Sequence, residues 1–219
     1  MNVLSLFDGI SCGQIALERA GIKVDKYYAS EINPKAIEVS EDNYPDIIQL
    51  GNVIDLTERI IDTLPRIDIL IGGTPCQDLS VYKLNINDAK GLEGKKSNLF
   101  YQYERIFKYI KPKYFLLENV SMDKEWEDII SNLLGVKPVM INSNLVSAAD
   151  RKRLYWTNIP NLTQPIDKGI LIKDIIIPAE EVAEKYWYDL PFIYNGDDKK
   201  VQCTLDVQKR ISTEYERSL

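Results

Sequence analysis

Cys76, Glu118, Arg151 and Arg153 are the side chains whose types and settings best fit bond-making chemistry. Cys76 follows Ile69-Leu70-Ile71-Gly72-Gly73-Thr74-Pro75. The β-branched apolar run is too short for a helix and reads as a buried strand that stops at the glycines. Those glycines let a ligand or another backbone approach closely, and Pro75 fixes one backbone angle while biasing Thr74 toward an extended form. A thiol at the carboxyl end of a buried strand lies where open α/β sheets bind ligands, and as a thiolate it is a nucleophile. The alternative is an inert, small buried hydrophobe. Glu118 closes a second apolar run, Tyr114–Leu117. In a right-handed βαβ unit Cys76 and Glu118 come to the same sheet edge, where the carboxyl group is an acid candidate rather than a solvated charge. Arg151 and Arg153 alternate on the lead-in to a late strand, Leu154–Trp156, and are expected to share one face. There they either grip an oxygen of a bound group or simply charge a strand edge.

Composition narrows the chemistry. The 219 residues include no histidine, so the usual general base and the commonest metal ligand are missing. Catalysis then falls to carboxylates, lysines, arginines or a thiol. Cys12, Cys76 and Cys203 form no CxxC pair or cluster, which argues against a disulfide framework or zinc site and for a reducing cytosol. The apolar fraction of 45% suits a globular core. A net charge of −6 argues against indiscriminate coating of nucleic acid, but leaves room for a local basic groove. The segment MNVLSLF lacks the basic lead and long apolar stretch of a signal peptide, and no apolar run is long enough to span a bilayer.

The elements that must position these residues alternate in type. Asn2–Phe7 reads as a strand, Asp8–Gly13 as a turn and Gln14–Ala20 as a helix stopped by Gly21. Tyr27–Glu31 is a second strand, and Asn33-Pro34 opens a second helix with a cap and a first-turn proline. A short strand at Ile47–Leu50 and a helix at Leu56–Leu64 precede the strand leading to Cys76. Asn98–Ile110 has helical spacing and stops at Pro112; Glu125–Leu134 is a further helix, and Val139–Ile141 a late strand. This order predicts an α/β fold with a doubly wound, mostly parallel sheet. The polar stretch Gln77–Lys96 is long for a connection inside a compact domain and is expected to be a disordered segment or a working lid.

The first turn carries glycines at Gly9 and Gly13 only, short of the set that lets a pyrophosphate approach the backbone. Glu31 closes the second strand at roughly the ~20-residue interval expected of an acid that accepts from ribose hydroxyls. Together they suggest an adenosine ligand without a pyrophosphate, such as S-adenosylmethionine. The alternative is an ordinary turn with a solvated glutamate.

Taken in order, FDGISCG, Glu31, GGTPCQDLS, Glu118-Asn119-Val120 and DRKRLYW resemble motifs I, II, IV, VI and VIII of the DNA cytosine-5 methyltransferase family. GLEGKKSNLF is similar to the segment after that family's catalytic loop. The resemblance runs from about Asn2 to Tyr188. It implies a Rossmann-like fold that uses S-adenosylmethionine, with cofactor contacts at Phe7, Asp8, Gly9, Ile10, Ser11, Glu31, Ile32, Asn52, Val53 and Pro75. It also implies catalytic roles for Cys76, Glu118, Arg151 and Arg153, substrate contacts at Gln77, Ser80 and Asn119, and no metal. Cys76 would add to cytosine C6, Glu118 would contact N3 and the exocyclic amine, Arg153 would hold O2, and Arg151 would support that contact or a phosphate. The target base would be flipped out of duplex DNA to reach the thiol.

Departures qualify the resemblance. Ala149 replaces a frequent glutamine, and VSAADRKR is similar to the family's de novo branch. Asn52 stands where an aspartate often meets the adenine amine, although its side-chain carbonyl can accept the same bond. RISTEYERSL looks like an early motif IX, the target-recognition region is largely absent, and motif X is missing. The expected domains are a catalytic, cofactor-binding segment at 1–160 and a remnant of the recognition and motif IX region at 161–219. The partners implied are DNA and, as one alternative, a second subunit supplying recognition and motif X; no membrane is implied. Methylation of tRNA, a split or regulatory subunit, and a truncated enzyme inactive alone remain alternatives to DNA methylation. The location implied is cytoplasmic or nucleoid-associated.

Overall fold

The computed structural model describes residues 1–75, 92, 94, 97–176, 181 and 201–202. Their strands and helices alternate as β1 (Asn2–Leu6), α1 (Cys12–Arg19), β2 (Lys26–Ser30), α2 (Pro34–Asn43), β3 (Ile48–Gln49), α3 (Glu58–Ile61), β4 (Ile69–Gly73), α4 (Phe100–Ile110), β5 (Tyr114–Val120), α5 (Lys124–Leu134), β6 (Val139–Asn142), β7 (Ala149–Asp150), β8 (Lys152–Thr157) and β9 (Val201–Gln202). Seven strands form one sheet in the order β3-β2-β1-β4-β5-β8-β6. From β3 through β5 the pairing is parallel, whereas β5 and β8 are antiparallel. The sheet is thus doubly wound and mostly parallel, as the alternation predicts. Strand order reverses between β1 and β4, and the carboxyl ends flanking such a switch point form the ligand crevice of open α/β sheets.

Strand alternation divides the apolar side chains between two faces. Leu4, Leu6, Tyr28, Leu70, Phe115, Leu117 and Trp156 meet Phe100, Tyr103, Ile106 and Ile130 from α4 and α5 in the larger core cluster. Val3, Tyr27, Ala29 and Ile69 meet Leu17 of α1 in a second cluster. Both faces of the central strands are therefore dry, which is why their sequences read as continuous apolar runs. The Asn33 side chain accepts from the Lys35 backbone N–H at 3.1 Å and caps α2 as expected, with Pro34 in the first turn.

Several boundaries differ from the sequence expectations. β4 does not stop before the glycines: Gly72 and Gly73 are its last two residues, paired with Leu117 and Glu118. Gly72 is demanded by packing, because a Cβ there would lie 2.6 Å from the Tyr103 ring. β5 likewise continues through Glu118, Asn119 and Val120, since β8 supplies antiparallel partners that far. The helix expected at Leu56–Leu64 contracts to α3, preceded by a 3-10 turn at Val53–Asp55 that the Asn52 side chain caps. Arg151 does not belong to β8; it falls between β7 and β8 and does not alternate with Arg153 on one strand.

The chain divides into two compact units, Met1–Met140 with Arg153–Leu162, and Ile141–Lys152 with Thr163–Leu219. The first contains the turn after β1 and the ends of β4 and β5. In the second, Asn142 organises a tight return. Its Oδ1 accepts from the backbone N–H groups of Asn144 and Arg151, while its Nδ2 donates to Asp150. β7 pairs in parallel with β9.

Candidate active site

Two groups of residues lie at the carboxyl ends of the strands flanking the switch point. The first is the turn after β1. Phe7, Gly9 and Ser11 all have positive φ, at 58°, 62° and 61°. For Phe7 and Ser11 this left-handed shape costs about 1–2 kcal/mol each, so surrounding bonds must impose it. They do. Asp8 N–H donates to the Ser30 carbonyl, and Gly9 N–H donates to Glu31 Oε2 at 2.8 Å. The Asp8 carboxylate accepts from Tyr27 Oη at 2.7 Å and from Ser11 Oγ at 2.5 Å. Burial first, and then the Asp8 charge, push the Tyr27 hydroxyl far above the ordinary tyrosine range, so it stays a donor. Gly13 is explained here as well. A Cβ at that position would come within 2.6 Å of Tyr27 Oη, so this glycine makes room for the tyrosine rather than for a phosphate.

Glu31 binds the backbone of the turn and of its own loop. Its Oε2 takes the Gly9 N–H, and its Oε1 takes those of Ile32 and Asn33 at 2.8 and 2.9 Å. A carboxylate offers about four acceptor sites, so three are committed and about one remains for a ligand hydroxyl. Ile32 is 69% exposed directly beyond β2, and Ile54 is 56% exposed beyond β3. Nothing lies within 4 Å of where a Gly9 side chain would begin. An open glycine backbone, a carboxylate with spare acceptor capacity and apolar side chains beyond neighbouring strands fit an adenosine group without a pyrophosphate.

Other expected cofactor contacts are placed less directly. Val53 and Ser11 are buried, while Ile10 is exposed. Asn52 Oδ1 accepts from the Ile54 N–H, so its carbonyl is a cap before it is an adenine acceptor. Phe7 packs against the larger core.

The second group is at β4, β5 and β8. Glu118 stands opposite Gly73 on one side and Tyr155 on the other. Its Oε1 lies 2.9 Å from Arg153 Nε, with both side chains largely shielded from solvent. Pleating puts Glu118 and Arg153 on the same face of the sheet. On that face Gly73 contributes no side chain, so the carboxylate has space where a Cβ would stand 3.4 Å from Oε2. Asn119 departs from expectation. It is buried, and its Nδ2 donates to Thr74 Oγ1 at 2.8 Å, which places it under the Thr74-Pro75 corner rather than against a base. Ser97 Oγ donates to the Pro75 carbonyl at 3.4 Å. Cys76, Gln77 and Ser80 lie outside the described residues; the strand, the corner and both anchors leading to Cys76 lie within them. Arg151 is exposed, and its backbone closes the Asn142 return.

Sequence reasoning did not single out the Tyr27 hydroxyl or Ser40, and it named Gly13 and Thr74 without their partners. A signal existed for the first: a tyrosine in a buried strand needs a partner for its hydroxyl, and Asp8 follows the neighbouring strand. No comparable local signal marks Thr74 as the partner of Asn119. Among the described residues no cluster of metal-binding side chains occurs, and no helix is long and apolar enough to cross a membrane.

The fold and these two groups define an α/β protein with a hydrogen-bonded turn after β1 and a carboxylate–arginine pair at the next strand ends. The model of the C-5 cytosine-specific DNA methylase family matches residues 1–134, and the chain belongs to that family. Members of the family draw their methyl group from S-adenosylmethionine. The chain is 36% identical over 200 residues to the type II methyltransferase M.FnuDI of Fusobacterium nucleatum, covering 86% of this chain and 54% of that protein. It is 36% identical over 125 residues to M.NgoBV of Neisseria gonorrhoeae, covering 55% of this chain and 28% of the relative. The orphan methyltransferase M.SPRI of Bacillus phage SPR is 34% identical over 123 residues, covering 55% of this chain and 26% of that protein. The chain thus spans about half, or less, of the length of these relatives. A crystal structure described as a candidate DNA modification methyltransferase from an E. coli prophage superposes with a TM-score of 0.62 at 24% identity, covering 80% of this chain and 53% of that one, and supports the fold.

Proposed function

We propose that the chain transfers a methyl group from S-adenosylmethionine to C5 of cytosine in DNA. The observation that carries this reading is the Glu118–Arg153 pair facing Gly73, three residues before Cys76. The bound cofactor supplies an electrophilic methyl group; the protein must make an unreactive ring carbon attack it. The Cys76 thiolate adds to C6, and the displaced electron pair moves toward C5. Glu118 hydrogen-bonds N3 and the exocyclic amine and stabilises the changing charge on the ring, while Arg153 holds O2. C5, so activated, would take the methyl group, the cofactor sulfur keeping the electron pair of the bond that is broken. Water then accepts the C5 proton, the returning electron pair expels the thiolate, and the methylated base is released.

The Phe7–Ser11 turn would hold the cofactor, Glu31 would accept from its ribose, and Ile32, Asn52 and Val53 would border its adenine. Pro75 shapes the passage between cofactor and Cys76; Gln77 and Ser80 contact the flipped nucleotide, and Arg151 meets a phosphate. The catalytic domain is assigned to 1–160 and a recognition remnant to 161–219. A cytoplasmic or nucleoid-associated location goes with this reading.

The test is a covalent trap. With S-adenosylmethionine and 5-fluorocytosine DNA the chain forms an adduct that survives denaturation, because fluorine at C5 cannot leave as a proton, and Cys76→Ser abolishes it. The trap is run alone and with a partner chain carrying a recognition region, and with matched RNA. No adduct in any arm overturns the catalytic reading, and an adduct on RNA alone replaces the DNA assignment.

A further inference from the structure

The polar side chains behind the first turn form a chain that the proposed reaction does not use. Asp8 accepts from Ser11 Oγ, and Ser11 Oγ lies 2.5 Å from Ser40 Oγ on α2. The direction of each bond follows from its end. An ionised carboxylate only accepts, so the single Ser11 proton goes to Asp8, and Ser40 must donate to Ser11. Ser40 Oγ in turn lies 3.5 Å from Gln49 Nε2, a donor on β3. Tyr27 reaches Asp8 from β2 as an independent donor, through the space that Gly13 leaves. Tyr27 of β2 and Ser11, the residue before α1, thus donate to Asp8 directly, with Ser40 of α2 and Gln49 of β3 lined up behind Ser11. Ser11 and Ser40 are fully buried, so no solvent replaces a bond that is lost.

We propose that Tyr27 and Ser40 are positioning residues for the cofactor. Acting through Asp8 and Ser11, they hold the Phe7–Ser11 turn in its left-handed shape, so that the Gly9 N–H meets Glu31 before any ligand arrives. The cofactor then finds a built site and does not have to order it, which converts bonds it never touches into affinity. This inference rests on the reading of that turn as the S-adenosylmethionine site.

The test compares Tyr27→Phe and Ser40→Ala with the intact chain. Tyr44→Phe serves as control, because it removes a hydroxyl that bonds Glu18 at 3.0 Å outside this network. Two quantities are read: the dissociation constant for S-adenosylhomocysteine by calorimetry, and amide hydrogen exchange at Gly9 without ligand, set against global stability in urea. Binding is expected to weaken by about ten-fold or more in Tyr27→Phe, with Gly9 exchange rising by a similar factor beyond any change in global stability. Ser40→Ala shifts both in the same direction by less, and Tyr44→Phe shifts neither. Wild-type binding in Tyr27→Phe, or weaker binding with Gly9 exchange tracking global stability alone, overturns the proposal. If the intact chain binds no S-adenosylhomocysteine, the cofactor reading fails by itself. Gly9 exchange then judges the network: local acceleration in Tyr27→Phe supports it and none overturns it.

Discussion

The turn after β1 and the ends of β4 and β5 lie on the same edge of the sheet but are built in opposite ways. In the turn, polar groups are committed to the protein itself: Glu31 holds three backbone N–H groups, and Asp8 takes two hydroxyls. At β4 and β5 shape is set by missing side chains, with Gly72 admitting Tyr103 and Gly73 leaving space beside Glu118. There the Glu118 carboxylate meets Arg153, a side chain on a neighbouring strand. The difference matches the two tasks proposed for them. A site that binds the same small molecule each cycle would gain by being fixed in advance. A site that must accept a base and follow its changing charge would need a carboxylate that can exchange partners.

That contrast can be broken by substitution. Glu118→Gln carries the largest expected effect: adduct formation slows by about 100-fold or more, while calorimetry still finds wild-type affinity for S-adenosylhomocysteine. Glu31→Ala gives the converse. It leaves three N–H groups without their acceptor, so binding is lost, and urea melts record a destabilisation of about 2–3 kcal/mol. Gly72→Ala probes the shape side alone. Its new methyl group meets the Tyr103 ring and costs about 1–3 kcal/mol, and in a double-mutant cycle Tyr103→Leu recovers part of that loss. The smallest effect is expected of Tyr103→Phe. The Tyr103 hydroxyl is buried without a hydrogen-bond partner among the described residues, so its removal raises stability by up to about 1 kcal/mol and shifts the thermal midpoint upward.

The sequence makes the sheet legible because its central strands are buried on both faces, and because Asn33-Pro34 caps α2 through purely local chemistry. It is less informative where partners come from distant strands. Nothing near Glu118 says that β5 continues past it; β8 decides that from the far side of α5 and β6. Arg151 looks equivalent to Arg153 by spacing, yet the Asn142 return takes its backbone out of the strand. Asn119 carries the type of a base-reading residue, but the hydroxyl that claims its amide is on Thr74, far away in sequence. The motif around Asp8 implies a cofactor turn, whereas the bond that Asp8 accepts from Tyr27 depends on the pairing of β1 with β2.

The alternation along β5 has a consequence for how this sequence can change. Glu118 and Asn119 are neighbours that point to opposite faces, one toward the proposed chemistry and one into the scaffold under Thr74. Adding or deleting a single residue in Tyr114–Leu117 would slip the register and exchange them, burying a carboxylate and offering an amide in its place. Lengthening the chain beyond Val120, where β5 ends, would leave both in position. Drift in length is therefore confined to the loops, while β5 can change only by substitution.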